Sequence, residues 1–313
     1  MLLVLPVMRA GCRASLAAAF LVEFLTHAPV LTATTAAPVR GPLGVAGAAA
    51  DLYSHAGWTQ GVRLVLVHGF APEGKGDRRV REAAVLLART GFDVAVPTIV
   101  GLTRGRLGLE DVETVVAALA SHAAPTVVMA VSIGAGPALL AAADPRVRDR
   151  VSTVVSLGGY ASGIEAVRFW LTGDYGFENV RGRVEHDPEL LRMFVRANWD
   201  LLDPASQTLL ERGEPENAAR FLAALPPNLR RHLESLSPLR VARDISAPLV
   251  LVHGYQDRAV PYTESLRLAA ARPERTAIVL VGIVGHVEGG PGLGWRAAAD
   301  FLALWRAMYG LIP

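Results

Sequence analysis

The run Val127-Val128-Met129-Ala130-Val131-Ser132-Ile133-Gly134-Ala135-Gly136 carries the strongest chemical signal in the chain. It sets one serine directly after a continuous apolar stretch and just before the alanine-rich segment from Ala138 to Ala143. That pattern predicts a buried strand, a tight turn and a helix, with the serine hydroxyl presented at the turn. Ala130 and Gly134, two positions either side of the serine, are small enough for strand and helix backbones to approach. The helix N-terminus would add positive partial charge beside the hydroxyl. A serine hydroxyl is a weak nucleophile until a base takes its proton. Nucleophilic attack by Ser132 therefore requires two more groups, a base and something to orient it.

The five residues Ala130-Val131-Ser132-Ile133-Gly134 resemble the Gly-x-Ser-x-Gly elbow of the α/β-hydrolase family, with alanine in place of the first glycine. The resemblance extends over roughly residues 43–313. It implies a mostly parallel sheet flanked by helices, and a fixed chain order of nucleophile, acid and histidine. Leu249-Val250-Leu251-Val252-His253-Gly254-Tyr255-Gln256-Asp257-Arg258-Ala259-Val260-Pro261 is similar to the family's acid loop, and the match assigns the acid to Asp257. Val279 to His286 places His286 after the last strand, where the family keeps its general base. In this reading Asp257 fixes the tautomer of His286 and stabilises the imidazolium that forms. Val67-His68-Gly69-Phe70 resembles the family's oxyanion loop, so the backbone N–H groups of Phe70 and Ile133 become the expected oxyanion donors.

The implied activity is hydrolysis of a carboxylic ester, or a related acyl bond, through a Ser-His-Asp triad and an acyl-enzyme. No metal or organic cofactor is expected, and the expected partner is a small, apolar acyl substrate. Lipase, peptidase, thioesterase, C–C hydrolase and acyltransferase remain open within the enzymes. A catalytically silent member of the fold, used for binding or signalling, is the alternative from a different class.

Rival motifs are weaker. Gly69-Phe70-Ala71-Pro72-Glu73-Gly74-Lys75 matches a phosphate-binding loop formally, but Gly76 stands where Ser or Thr should hold Mg²⁺. Gly134-Ala135-Gly136 begins a dinucleotide fingerprint that fails at Leu139. Arginines at 78, 79, 81, 146, 148 and 150 form two short clusters without interleaved aromatics, and net charge is only +2, so nucleic acid is not an expected partner. His68 and His253 sit at strand ends and read as structural. His122, His186 and His232 read as surface residues, and His55 has no supporting motif. Asp244 precedes the Leu249 strand, on the wrong side for the family's acid.

Short apolar runs must form the sheet that positions these groups: Val62–Val67, Phe92–Val96, Thr126–Val131, Val151–Leu157, Leu249–Val252 and Ala277–Val281. They alternate with helical spacing over Val80–Ala88, Val112–Leu119, Ser265–Ala271 and Trp295–Met308, which predicts a parallel sheet covered on both faces. Residues 162–244 break the pattern and read as a helical insertion without a clear strand, expected to act as a lid or cap. The hexapeptide Leu-Val-Leu-Val-His-Gly occurs twice, at 64–69 and 249–254, with unmatched flanks and no period.

Hydrophobic residues make up 51% and charged residues 19% of the 313, enough to build a large core and to exclude a disordered chain. Cys12 is the single cysteine, so an intrachain disulfide is impossible. Residues 1–42 read as a leader: Arg9 and Arg13, an apolar run from Ala14 to Val22, then a Thr/Ala/Pro-rich stretch to Pro42. Such a leader would export the chain or anchor it at a membrane. Glu23 and His27 interrupt the run, which leaves a cytoplasmic chain with an idle leader equally open. Met8 could serve as the start as well as Met1. Oligomeric state is not legible.

Overall fold

The computed structural model describes residues 4–55, 61–106, 108–184, 192, 195–211, 215–285 and 295–313. An eight-stranded sheet runs in the order β1 (Val39–Val45), β2 (Ala48–Ser54), β4 (Asp93–Pro97), β3 (Arg63–Val67), β5 (Thr126–Val131), β6 (Val151–Leu157), β9 (Leu249–Gly254), β10 (Thr276–Val281). From β4 to β10 every neighbouring pair is parallel, while β2 is antiparallel to both β1 and β4. All six expected strands are present. The β1–β2 hairpin was not expected, because Val39-Arg40-Gly41-Pro42 mixes charge, glycine and proline where an apolar run would mark a strand.

The unbroken apolar strands supply two cores at once. Leu64 and Leu66 of β3 face one layer, and Val65 and Val67 face the other. In β5, Val127 and Met129 share the first layer while Val128 and Ala130 share the second. Alternation of side-chain direction along a strand turns a continuous hydrophobic run into two buried faces. Helices α3 (Arg78–Arg89) and α12 (Trp295–Leu311) close one face. Helices α5 (Glu110–Ala120) and α6 (Ala135–Ala143) close the other. Burial on nearly every side of α6 explains its uniformly apolar sequence.

The first layer also includes α1 (Val4–Thr26), where Ala17, Phe20 and Leu21 are buried against the body, and Leu31 of α2 (Val30–Thr34). Trp305 donates to the Ala14 carbonyl at 3.0 Å, and Arg13 donates to the Tyr309 carbonyl at 3.0 Å. Arg89 reaches the carbonyl of Ala36 at 3.1 Å. Among the described residues no helix is long and apolar enough to cross a membrane.

Between β6 and β9 the chain builds α7 (Gly163–Thr172), a hairpin of β7 (Asp174–Phe177) and β8 (Val180–Arg183), then α8 (Pro204–Glu211), α9 (Pro215–Ala223) and α10 (Pro227–Ser235). The hairpin corrects the expectation of helices alone. Its strands are only four residues each and lack a β-branched apolar run, so nothing in their sequence marks them. Phe221, Leu225, Leu229 and Leu233 give the insertion a small core of its own.

The insertion's entry and exit are stitched together. Tyr160 donates to the Leu236 carbonyl at 2.8 Å, Gly163 N–H donates to Ser237 Oγ at 2.8 Å, and Leu239 N–H donates to the Ala161 carbonyl at 2.9 Å.

Candidate active site

Ser132 directly follows β5 and opens the turn into α6, as its sequence predicts. Its φ is +55°, a left-handed conformation that a non-glycine residue adopts only when the surroundings enforce it. The enforcement is visible. A Cβ on Gly134 would fall 2.3 Å from the His68 carbonyl oxygen, so the elbow and the strand end of β3 touch backbone to backbone. Gly69 also lies close to Ser132, where a Cβ would stand 3.0 Å from the serine's own. The loop carrying Phe70 is therefore brought against the turn carrying Ser132 and Ile133. Ser132 and Ile133 are buried, and Phe70 is half-buried.

His68 is buried and neutral in the fold, because loss of solvation pushes its pKa below the ordinary imidazole value. Its Nδ1 stands 2.7 Å from the Gly69 carbonyl, which can only accept, so Nδ1 carries the proton. Nε2 then accepts the N–H of Ile99 at 3.0 Å. One imidazole thus ties the loop beside the elbow to the end of β4.

Asp257 follows β9 and is buried. Its Oδ1 accepts the N–H groups of Ala259 at 2.8 Å and Val260 at 2.9 Å. Its Oδ2 stands 3.3 Å from His253 Nε2. The rival acid Asp244 is exposed, in a turn ahead of β9.

His286 lies outside the described residues. β10 does lead toward the acid: Val281 pairs with Gly254, and Tyr255 N–H donates to the Val281 carbonyl at 2.9 Å. The carbonyls of Val284 and Gly285 also press on Gly254, three residues before Asp257. The segment entering residue 286 is thereby held against the segment entering the acid.

The insertion reaches the loop that carries Asp257 and a neighbour of the Phe70 ring. Trp170 of α7 donates its indole N–H to the Ala259 carbonyl at 2.7 Å, two residues past Asp257. Asn198 donates to the Gly105 carbonyl at 3.2 Å, and Arg106 pairs with Asp200 at 2.8 Å. Gly105 in turn faces the Phe70 ring. Within the insertion itself lies a cleft of about 70 Å³, lined by Trp170, Leu171, Phe221 and Leu233 with Asn198 and His232 among them; Ser132, Phe70 and Asp257 do not line it. His232 was expected on the surface; it lines an apolar cleft instead, a placement that one histidine on a short helix does not reveal.

The buried Glu264 ties the insertion to α11 (Thr263–Ala271), accepting Ala161 N–H at 3.0 Å, Ser162 N–H at 2.9 Å and Arg267 Nε at 2.9 Å. Burial pushes its carboxyl above the usual range despite those donors. Sequence reasoning missed Glu264 and the contact made by Trp170; it read His68 and His253 as structural strand-end residues but could not name their partners.

Lys75 is engaged by a carboxylate, donating to Asp51 Oδ1 at 2.7 Å, while Arg40 Nε donates to Asp51 Oδ2 at 2.8 Å. Burial pushes the Asp51 carboxyl up, but the two cations together outweigh it and hold it below the usual range. Among the described residues no group of three or more His, Cys, Asp or Glu side chains could hold a metal ion.

No protein-family model matches the chain, and no curated protein matches it by sequence. Solved structures do. Acylaminoacyl peptidase of Pyrococcus horikoshii is similar with a TM-score of 0.55 at 14% identity, over 90% of this chain and 42% of that one. The chain thus spans well under half the length of the archaeal peptidase. Mouse alpha/beta hydrolase domain-containing protein 10 gives 0.52 at 14% identity, over 88% of this chain and 98% of its own. A meta-cleavage product hydrolase from Pseudomonas fluorescens gives 0.50 at 16% identity, over 87% and 98%. With the strand order and the strained serine, these likenesses define the architecture: the chain has the α/β-hydrolase fold.

Proposed function

We propose that this chain is a serine hydrolase that cleaves a carboxylic ester of an apolar acyl or alcohol group. The observation that carries the reading is Ser132 itself, held at φ +55° on a strand-to-helix turn. Such strain is kept at a turn only where the surrounding packing over-determines it, and it presents the hydroxyl outward. Asp257 supports the reading by following β9 in the expected chain order.

In this mechanism Ser132 Oγ attacks the carbonyl carbon and His286 takes the hydroxyl proton. Asp257 accepts the other imidazole N–H and stabilises the positive charge that develops. The N–H groups of Phe70 and Ile133 hold the oxyanion as the carbonyl π bond opens. Collapse expels the alkoxide, which leaves as an alcohol with the proton from His286. Water deprotonated by the same histidine then attacks the acyl-enzyme, and the acid departs as Ser132 is regenerated. The aromatic residues of the insertion, Trp170 and Phe221 among them, support an apolar substrate group, and the hydrogen bond from Trp170 to the Ala259 carbonyl supports a lid role for the insertion.

The test is labelling of the full chain with a fluorophosphonate, read by intact mass, followed by a panel of p-nitrophenyl esters. Wild type gains one adduct and hydrolyses at least one ester, and Ser132→Ala does neither. Equal labelling of Ser132→Ala and wild type overturns the mechanism. A folded wild type that neither labels nor turns over any ester makes binding, not catalysis, the function of the fold.

A further inference from the structure

The sheet has two edges, and only one of them is defended. β1 carries Arg40, Gly41, Pro42 and Gly44 along its length. Charge and proline of that kind discourage a further strand from adding to an edge. At the opposite edge β10 reads Thr-Ala-Ile-Val-Leu-Val, with no charge, no proline and no glycine. Among the described residues its only strand neighbour is β9.

The pairing with β9 fixes which backbone groups of β10 face outward. Tyr255 N–H donates to the Val281 carbonyl, so the polar groups of Val281 turn toward β9. By alternation those of Ala277 and Val279 do the same. Thr276, Ile278 and Leu280 therefore present their N–H and C=O groups away from the sheet. Ile278 is 37% exposed, and Ala277 is exposed beside it. Just beyond the strand the row is closed: Gly282 N–H, next in the outward series, donates to Asp300 of α12 at 2.7 Å. Outward donors and acceptors on an apolar strand are a template for pairing.

We infer that β10 is a dimer interface, and that it is covered by β10 of a second copy of this chain, antiparallel across a two-fold axis. Three observations select a second copy. An uncharged strand meets its own image with no like charges opposed. The outward residues are also spaced evenly about Ile278, so an axis there pairs Ile278 with itself and Thr276 with Leu280. Every outward group of the strand then finds a partner.

The ends of the strand supply the third observation. Arg275 is exposed just before β10, and Asp300 is held at its far end. Antiparallel pairing brings each Arg275 to the Asp300 end of the other copy, where opposite charges attract. Glu274, also exposed, travels with Arg275 and tempers that attraction. Helices α11 and α12, packed against β10, line up beside their counterparts and add the burial that a short ladder lacks. The inference stands whether or not the hydrolase reading holds.

The experiment is sedimentation of the full chain from about one to one hundred micromolar, the range in which a moderate dimer dissociates. Wild type should run at twice the chain mass. Ile278→Lys sets two ammonium groups opposite each other at the axis. Ile278→Pro removes only the outward N–H, because the bonds to β9 come from the residues on either side. Each should raise the dissociation constant by at least about a hundredfold, the size of a lost interface hot spot. Ile278→Val should leave it unchanged. A cooperative melt confirms that each variant is folded.

Wild type that stays monomeric throughout, or a dimer that folded Ile278→Lys leaves intact, overturns the inference. Growth past the dimer also overturns it, because two-fold pairing uses up the edge. Hydrogen exchange of the wild type gives a check that needs no variant. The amides of Ile278 and Leu280 must be protected in the dimer, and fast exchange there overturns the inference.

Discussion

Residues 64–69 and 249–254 spell the same six letters, Leu-Val-Leu-Val-His-Gly, and do different work with them. Both histidines end a parallel strand and both are buried. His68 carries its proton on Nδ1 and accepts a backbone N–H at Nε2. His253 carries its proton on Nε2 and accepts a hydroxyl at Nδ1. Identical local sequence thus yields opposite tautomers, because the partners lie outside the shared hexapeptide or in its differently turned ends: Gly69 and Ile99 in one case, Val260 and Ser265 in the other. One histidine braces the loop beside Ser132, and the other holds the loop that carries Asp257 through the Val260 carbonyl. A buried imidazole's tautomer is a property of the tertiary structure.

The glycines that follow break the symmetry most sharply. A Cβ on Gly254 would lie 2.1 Å from the Val284 carbonyl oxygen and 2.4 Å from that of Gly285. Both are backbone atoms, so neither can step aside as a flexible side chain would. Gly254→Ala should therefore cost about 3 kcal/mol or more in stability, at the upper end of overpacking penalties, as measured by chemical denaturation. It should also displace the segment entering residue 286. A denaturation midpoint equal to wild type would show that the 284–285 segment yields freely, and would weaken the case for a fixed base.

The next largest effect lies at His68. His68→Leu leaves the buried N–H of Ile99 without its acceptor, which should destabilise the chain by about 1–3 kcal/mol. The sign of the pH dependence follows from burial, which holds the folded pKa below the unfolded value of about 6.5. Protonation therefore favours the unfolded chain. The histidine's contribution is complete above the unfolded value and is lost as pH falls toward and through the folded one. Melting temperature followed from pH 7.5 downward should fall more steeply in wild type than in His68→Leu. Parallel curves would mean that folding does not lower the His68 pKa.

Much of this was legible in the sequence, and the failures have a common cause. The central strands could be read because burial on both faces demands uninterrupted apolar runs, as in Leu64–Val67 and Val127–Val131. Ser132 could be read because its small flanking residues are a local requirement of the turn. Strands β1, β7 and β8 could not, since they lie at an edge or in a separate hairpin, where glycine, proline and charge are tolerated. The partners of Trp170, His253 and Glu264 escaped for a different reason. Each side chain acts through a partner on another element, Trp170 and Glu264 about 90 or more residues away and His253 within and just beyond its own loop. No spacing rule encodes such a meeting.

The smallest effect separates packing from chemistry most cleanly. A Cβ on Gly69 would lie 3.0 Å from Ser132 Cβ and from the Val131 carbonyl oxygen, tight but short of the overlap at Gly254. Gly69→Ala should therefore lower stability by only about 1 kcal/mol. The contact falls on the nucleophile's own turn, however, so the fluorophosphonate labelling rate should drop by more than that stability loss alone predicts. Gly254→Ala should lose both together. A Gly69→Ala variant that labels at the wild-type rate would mean that the loop carrying Phe70 does not constrain Ser132. The two strand ends would then differ in rigidity and not in what they contribute to the site.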